Sequence, residues 1–172
     1  MPGEMLPEES ARFYTAQLAL ALGALHERRI LYLDLKLENI LLSAAGDATL
    51  VDFGFVRCDV DIAAGETVKR AGGTRTYSAP EAILGQPVGA PADWWALGVV
   101  LFELLTGSSP FGGDKKAMSA AICNARVRFP TRDAEAEPAA EPLSNDAISM
   151  VRRLLTKQVD TRLGTARGLA EV

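Results

Sequence analysis

Only two cysteines occur in 172 residues. Cys58 and Cys123 are far apart and lack metal-ligand spacing, which excludes a disulfide framework and fits a reducing compartment. Basic residues are outnumbered: 18 Lys and Arg against 22 Asp and Glu give a net charge of −4 and a pI near 5.1. That balance argues against nucleic acid or an anionic membrane as the main partner. Long apolar runs are missing too. The longest, Trp94 to Leu105, is interrupted by Glu103 and is too short to span a bilayer. The start, MPGEMLPEES, has no basic-then-apolar signal pattern. There are no internal repeats, and no feature specifies an oligomeric state. What remains is a soluble intracellular, cytoplasmic protein. Its 48% apolar and 23% charged residues are ordinary globular composition, and the length suffices for one domain with a core.

The pattern that is present predicts a mostly helical body. Pro7, Glu8 and Glu9 suit a helix start, with acids near the positive end of the dipole. Tyr14, Leu18, Leu22 and Leu25 then recur at helical spacing. Ile40–Leu42 and Ala48–Val51 read as short strands around the turn-forming SAAGD. Residues 52–91 are loop-like and Gly-rich. Asp93 to Thr106 reads as a buried helix closed by Gly107, with Trp94 and Trp95 as core. Further helices are expected over Lys115–Asn124 and Asn145–Thr156. Between them Thr131–Pro142, biased to Ala, Glu and Pro, reads as a solvated loop.

The chemistry concentrates in LYLDLKLENILL, Leu31 to Leu42, where Asp34, Lys36, Glu38 and Asn39 interrupt an apolar run. Asn39 precedes the first strand of the hairpin, and DFG (Asp52–Gly54) follows the second. Antiparallel pairing brings those ends side by side. An amide oxygen and a carboxylate converging there suit Mg²⁺, which takes few protein ligands plus phosphate oxygens. Asp34 and Lys36 lie on the loop feeding the same point. A carboxylate can accept a hydroxyl proton there, and an ammonium can neutralise a transferring phosphoryl group.

With these motifs the chain resembles a eukaryotic-type protein kinase: YLDLKLEN, DFG, SAPE (Ser78–Glu81), DWWALG (Asp93–Gly98) and DTRLG (Asp160–Gly164) follow in order. Lysine two residues after the aspartate resembles serine/threonine kinases. YLDLKLEN, VDFGF and RLG resemble the basophilic branch containing the cyclic-nucleotide-dependent kinases. The resemblance implies the C-terminal, large lobe of the kinase fold, mainly helical with a short β-hairpin. It implies ATP and Mg²⁺ as cofactors and protein substrates with basic residues near Ser or Thr.

Residue by residue, the resemblance implies a catalytic base at Asp34, a γ-phosphate contact at Lys36 and Mg²⁺ ligands at Asn39 and Asp52. It implies a Thr74 hydroxyl near Asp34 and Lys36, and Leu41 beneath the adenine. Phe53 and Tyr32 would belong to the column linking the lobes. Gly54 would permit the turn that aims Asp52, Glu81 and Arg162 would form a buried ion pair, and Asp93 would cap the catalytic loop. Glu38 and Glu103 would face substrate arginines.

The departures are as informative. The family's complete domain runs to about 250 residues, the upper end of single-domain size. Residues 1–172 resemble its large lobe, without the Gly-rich loop, the strand lysine, the helix glutamate or the last helix. The position of the usual activation-segment phosphothreonine holds Arg70, with Thr67 the nearest hydroxyl and Glu66 a candidate partner for Arg70. The pocket for the residue after the phosphoacceptor maps to Ala71, Arg75 and Ser78, with Arg75 in place of proline. Leu33 replaces the arginine that receives the phosphate. Leu33 and Arg70 together leave two readings, an enzyme that needs no activating phosphate or a weakened enzyme. Two function classes follow, a serine/threonine kinase or a truncated or degenerate kinase-like scaffold or binding module.

Overall fold

The computed structural model describes residues 5–69, 72, 74–130 and 142–172. Arg70, Ala71 and all of the Thr131–Pro142 loop except its last residue lie outside them. The elements are α1 (Glu8–Glu27), β1 (Ile40–Leu42), β2 (Ala48–Leu50), α2 (Pro80–Ile83), α3 (Ala90–Thr106), α4 (Lys115–Asn124) and α5 (Asn145–Leu154). Short 3₁₀ turns occupy Leu37–Asn39, Arg75–Tyr77, Val159–Thr161 and Gly168–Ala170. None of the described helices is long and apolar enough to cross a membrane.

α3 is the axis of the body. Its residues are apolar on nearly every side, and Trp94, Trp95, Leu97, Val99 and Val100 are fully buried. Such a helix is stable only when neighbours surround it. It starts three residues earlier than Asp93, because Pro91 fits the first turn, where no N–H partner is needed. It ends as the sequence reading has it, at Gly107, whose φ of +66° closes the helix in the left-handed region. α1 lays Ala11, Thr15, Leu18 and Leu22 against this core. α5 crosses α3 where a Cβ on Gly98 would sit 2.7 Å from the Leu154 Cβ, so only glycine allows that approach. α5 ends at Leu154, short of Thr156, and Leu155 turns back into the core.

The hairpin pairs Ile40 with Leu50 and Leu42 with Ala48. β2 stops at Leu50. Val51 still donates to the Asn39 carbonyl at 3.0 Å, but Asp52 leaves the ladder with φ +60°. Gln17 of α1 fastens the hairpin, donating to Asp47 at 2.9 Å and accepting from the Ala48 N–H at 2.7 Å. The segment after DFG is tied at two points by main-chain pairs, Leu31 with Arg57 and Val68 with Val88. The Glu66 carboxylate accepts from the Asp61 N–H at 2.6 Å. Its expected partner Arg70 is outside the described residues.

Lys157 follows α5 and lays its ammonium over the Phe111 ring, 4.1 Å from the centroid, and over Trp95 at 4.8 Å. Its Nζ is buried without a hydrogen-bond partner among the described residues. Burial lowers its pKa to about 8, while the two ring faces favour the cation and offset part of that cost. The unfolded chain therefore holds this proton up to about pH 10.4, and the folded chain releases it earlier. Stability should rise between about pH 8 and 10. Above that the Tyr32 hydroxyl, raised by burial to about 12, works in the opposite direction. Urea midpoints measured from pH 7 to 10 should climb in the wild type and be flatter in Lys157→Met.

Candidate active site

Asp93, in the first turn of α3, has no exposed surface. Its Oδ2 accepts from the Tyr32 N–H at 3.0 Å and its Oδ1 from the Leu33 N–H at 2.7 Å. His26, in the last turn of α1, completes the node: Nε2 lies 2.9 Å from Asp93 Oδ2, and the ring meets Trp94 edge-on at 5.2 Å. The carboxylate thereby fixes the backbone just before the chemical residues. Leu33 is buried with φ +63°, a conformation that costs a β-carbon-bearing residue about 1–3 kcal/mol. The two Asp93 bonds hold it there.

The next residues converge on Asp34, itself only 4% exposed. Its Oδ2 accepts from Lys36 Nζ at 2.7 Å and Asn39 Nδ2 at 2.9 Å. The same amide nitrogen donates to the Asp34 carbonyl at 2.9 Å. Lys36 alternates to the same side from an extended backbone. The Leu37–Asn39 turn then brings Asn39 back to Asp34. The hydrogen bond to Asp34 raises the Lys36 pKa, and the charges of Glu38 and Asp52 add to it. Both Asn39 contacts use nitrogen, which leaves its amide oxygen as the acceptor.

Asp52 lies at the open end of the same hairpin. Its Oδ1 accepts from the Gly54 N–H at 3.1 Å, and a Cβ on Gly54 would sit 3.1 Å from that oxygen. Glycine is the residue that leaves the carboxylate room. The Tyr32 hydroxyl donates to the Val51 carbonyl next to Asp52, and its ring meets Phe53 edge-on at 5.5 Å. Phe53 is 50% exposed and Leu41, on β1, is 55% exposed, so both apolar side chains are open to solvent. Among the described residues no three His, Cys, Asp or Glu gather as a metal cluster. A site built from Asn39, Asp52 and a ligand's own oxygens needs no such cluster.

The segment around α2 carries its own anchors. Arg162, buried, donates to both Glu81 oxygens at 2.7 and 2.9 Å and to the carbonyls of Thr156, Pro91 and Lys157. Tyr77 donates to Glu103 Oε2 at 2.6 Å. Burial raises the Glu103 pKa, the Tyr77 bond lowers it, and the nearby Glu38 charge raises it again. Burial and that carboxylate also push the Tyr77 hydroxyl up. Thr74 stands apart: it is exposed, and among the described residues no hydrogen bond joins its hydroxyl to Asp34 or Lys36.

The sequence model of the family described as "Protein kinase domain" matches residues 2–171. The chain belongs to the protein kinase family. It is 50% identical over 106 residues to "Protein kinase C zeta type" of Oryctolagus cuniculus, covering 62% of the chain and 18% of that protein. It is 39% identical over 172 residues to "Atypical protein kinase C" of Drosophila melanogaster, covering 94% and 26%. "Protein kinase 3" of Dictyostelium discoideum is 36% identical over 174 residues, covering 96% and 18%. The chain thus spans between 18% and 26% of the length of these curated relatives.

Several members of this kinase site were not singled out from the sequence. His26 gave one faint signal, its spacing of four from the core residue Leu22. Tyr77 and Gln17 gave none, because their partners lie far along the chain. The anchors differ in kind from the exposed carboxylate, and stability separates them. Asp93→Ala strands two buried N–H groups, each worth about 1–3 kcal/mol unpaired, and should cost at least about 2 kcal/mol. Arg162→Met should cost about 3–5 kcal/mol, because Glu81 is left charged and buried. Asp52→Ala, at the surface, should change stability by less than about 0.5 kcal/mol. Urea denaturation of the three variants beside wild type checks the ranking.

Proposed function

We propose that residues 1–172 form the large lobe of a serine/threonine protein kinase that transfers the ATP γ-phosphate to Ser or Thr hydroxyls. The observation that carries this is the buried Asp34, held by Lys36 at 2.7 Å and Asn39 at 2.9 Å beside Asp52. A buried carboxylate so restrained accepts a substrate hydroxyl's proton with little reorganisation. The Lys36 ammonium neutralises charge on the transferring group. Asn39 and Asp52 are hard oxygen donors from the two open ends of the hairpin and fit Mg²⁺, whose chemistry is charge neutralisation of the ATP phosphates. Leu41 and Phe53 supply apolar contact for the adenine side.

Glu38 and Glu103, close enough for one to raise the other's pKa, support substrates with arginine before the phosphoacceptor and membership of the basophilic branch. The two free cysteines support a reducing, cytoplasmic setting. The scaffold reading draws its support from Thr74, which leaves the Asp34 cluster. Leu33 supports a segment held without phosphate. It fills its site with about 2 kcal/mol of apolar burial, and main-chain pairing of Val68 with Val88 at 2.8 and 2.9 Å ties the segment down.

In the full-length protein, Asp34→Asn and Asp52→Asn should each abolish phosphotransfer to a Ser peptide, measured with labelled ATP. No phosphotransfer by the wild type itself would favour the scaffold, and full wild-type activity in either variant would overturn the roles given to Asp34 and Asp52. Activity should survive phosphatase treatment and Thr67→Ala. Leu33→Arg should lower it, because the new guanidinium would be buried beside Asp34 without a phosphate partner. Residues 1–172 alone offer ATP one wall, and calorimetry with Mg-ATP should show affinity weaker than about 1 mM.

A further inference from the structure

We infer that Arg75 determines substrate specificity by reading an anionic side chain on the flank of the phosphoacceptor opposite its basic residues. The inference rests on the kinase reading and deepens it. Arg75 opens the 3₁₀ turn Arg75–Tyr77, in which successive side chains are rotated by about 120°. The turn therefore addresses different neighbours. Tyr77 reaches α3 and Glu103 at 2.6 Å, and it lines a small cavity together with Asp34. Arg75 reaches α4, where Nη1 donates to Ser119 Oγ at 3.0 Å. Thr76 points the same way, its hydroxyl 3.8 Å from Met118 Sδ. Carboxylates thus occupy the α3 side of the turn, and a guanidinium occupies the α4 side.

Among the described residues no carboxylate matches the Arg75 charge. Its only hydrogen-bond partner among the described residues is the neutral Ser119 hydroxyl, whose own proton goes to the Lys115 carbonyl at 2.7 Å. The ion pairs of the described residues are His26–Asp93, Lys36–Asp34 and Arg162–Glu81, and none includes Arg75. Arg162 shows what a satisfied guanidinium looks like in this fold, with both Glu81 oxygens and three carbonyls. Arg75 is half-buried, held in place, permanently charged, and has four further N–H donors in a planar fork. A carboxylate or phosphate matches that fork. The extra anion would be supplied by the substrate, as an acidic or an already phosphorylated residue.

The test is peptide binding to the full-length protein by fluorescence anisotropy. The peptides carry arginines before an alanine that replaces the phosphoacceptor, and Asp, phosphoserine, Leu or Lys on the other flank. Asp and phosphoserine peptides should bind about five-fold tighter than Leu, the upper range for a solvent-accessible ion pair. Arg75→Glu should invert the order in favour of Lys, and Arg75→Gln should level it, with unchanged melting temperature. A preference for phosphoserine alone identifies the anion as phosphate. A preference shared with Asp shows that a carboxylate suffices. Equal binding of Asp, phosphoserine and Leu peptides, or a preference that survives Arg75→Glu, overturns the inference. Phosphotransfer to the same peptides with serine restored in place of the alanine, measured in parallel, separates the two readings. An anion preference without phosphotransfer overturns the enzyme alone, and phosphotransfer without the preference overturns the role of Arg75 alone.

Discussion

The carboxylate of Asp93 is the constraint on which the chemical loop depends. It is fully buried, it takes the N–H groups of Tyr32 and Leu33, and it meets His26 from a third direction. The end of α1 and the loop before Asp34 are thereby fixed to the start of α3, some sixty residues further along the chain. The left-handed Leu33 is tolerable because both bonds flank it. Without that conformation the chain would enter the Asp34–Asn39 turn at a different angle, and the converging hydrogen bonds on Asp34 Oδ2 would separate.

A second buried charge pair does the corresponding work for the segment around α2. Glu81 and Arg162 exchange two parallel bonds, and Arg162 also collects the carbonyl of Pro91, so the entry to α3 shares the clamp. Buried pairs of this kind add little net stability against an apolar replacement and much geometric definition. Here that definition sets where the 3₁₀ turn Arg75–Tyr77 lies relative to α3 and α4. The two clamps meet at α3, whose rigid, all-round apolar packing transmits one position to the other.

Much of the fold was legible because its signals are local. Pro91 and Gly107 bracket α3 in agreement with cap chemistry. The α4 bounds coincide with the expected ones, and Asp114 caps its first turn by accepting from Lys116 and Ala117. The hairpin was legible from its turn residues, but its end was not: Val51 is β-branched and apolar, yet the positive φ of Asp52 takes the strand out of register one residue early. The grouping of Asp34, Lys36 and Asn39 was visible as a spacing. The exposure of Thr74 was not, since nothing in GGT states how its backbone is placed. Arg75 with Ser119 and Tyr77 with Glu103 join elements 44 and 26 residues apart, and no period in the sequence encodes such separations.

The lateness of Arg162 has a consequence for how the protein is made. Its partner Glu81 leaves the ribosome 81 residues earlier. At about 5–20 residues per second, α2 waits roughly 4–16 s for its counter-charge. During that interval Glu81 lacks its counter-charge and the segment around α2 lacks this clamp, although α1, the hairpin and α3 are already in hand. The nascent chain therefore completes its Asp93 node before its second clamp. The segment that Glu81 fastens is therefore held only after Arg162 has been made, 81 residues later.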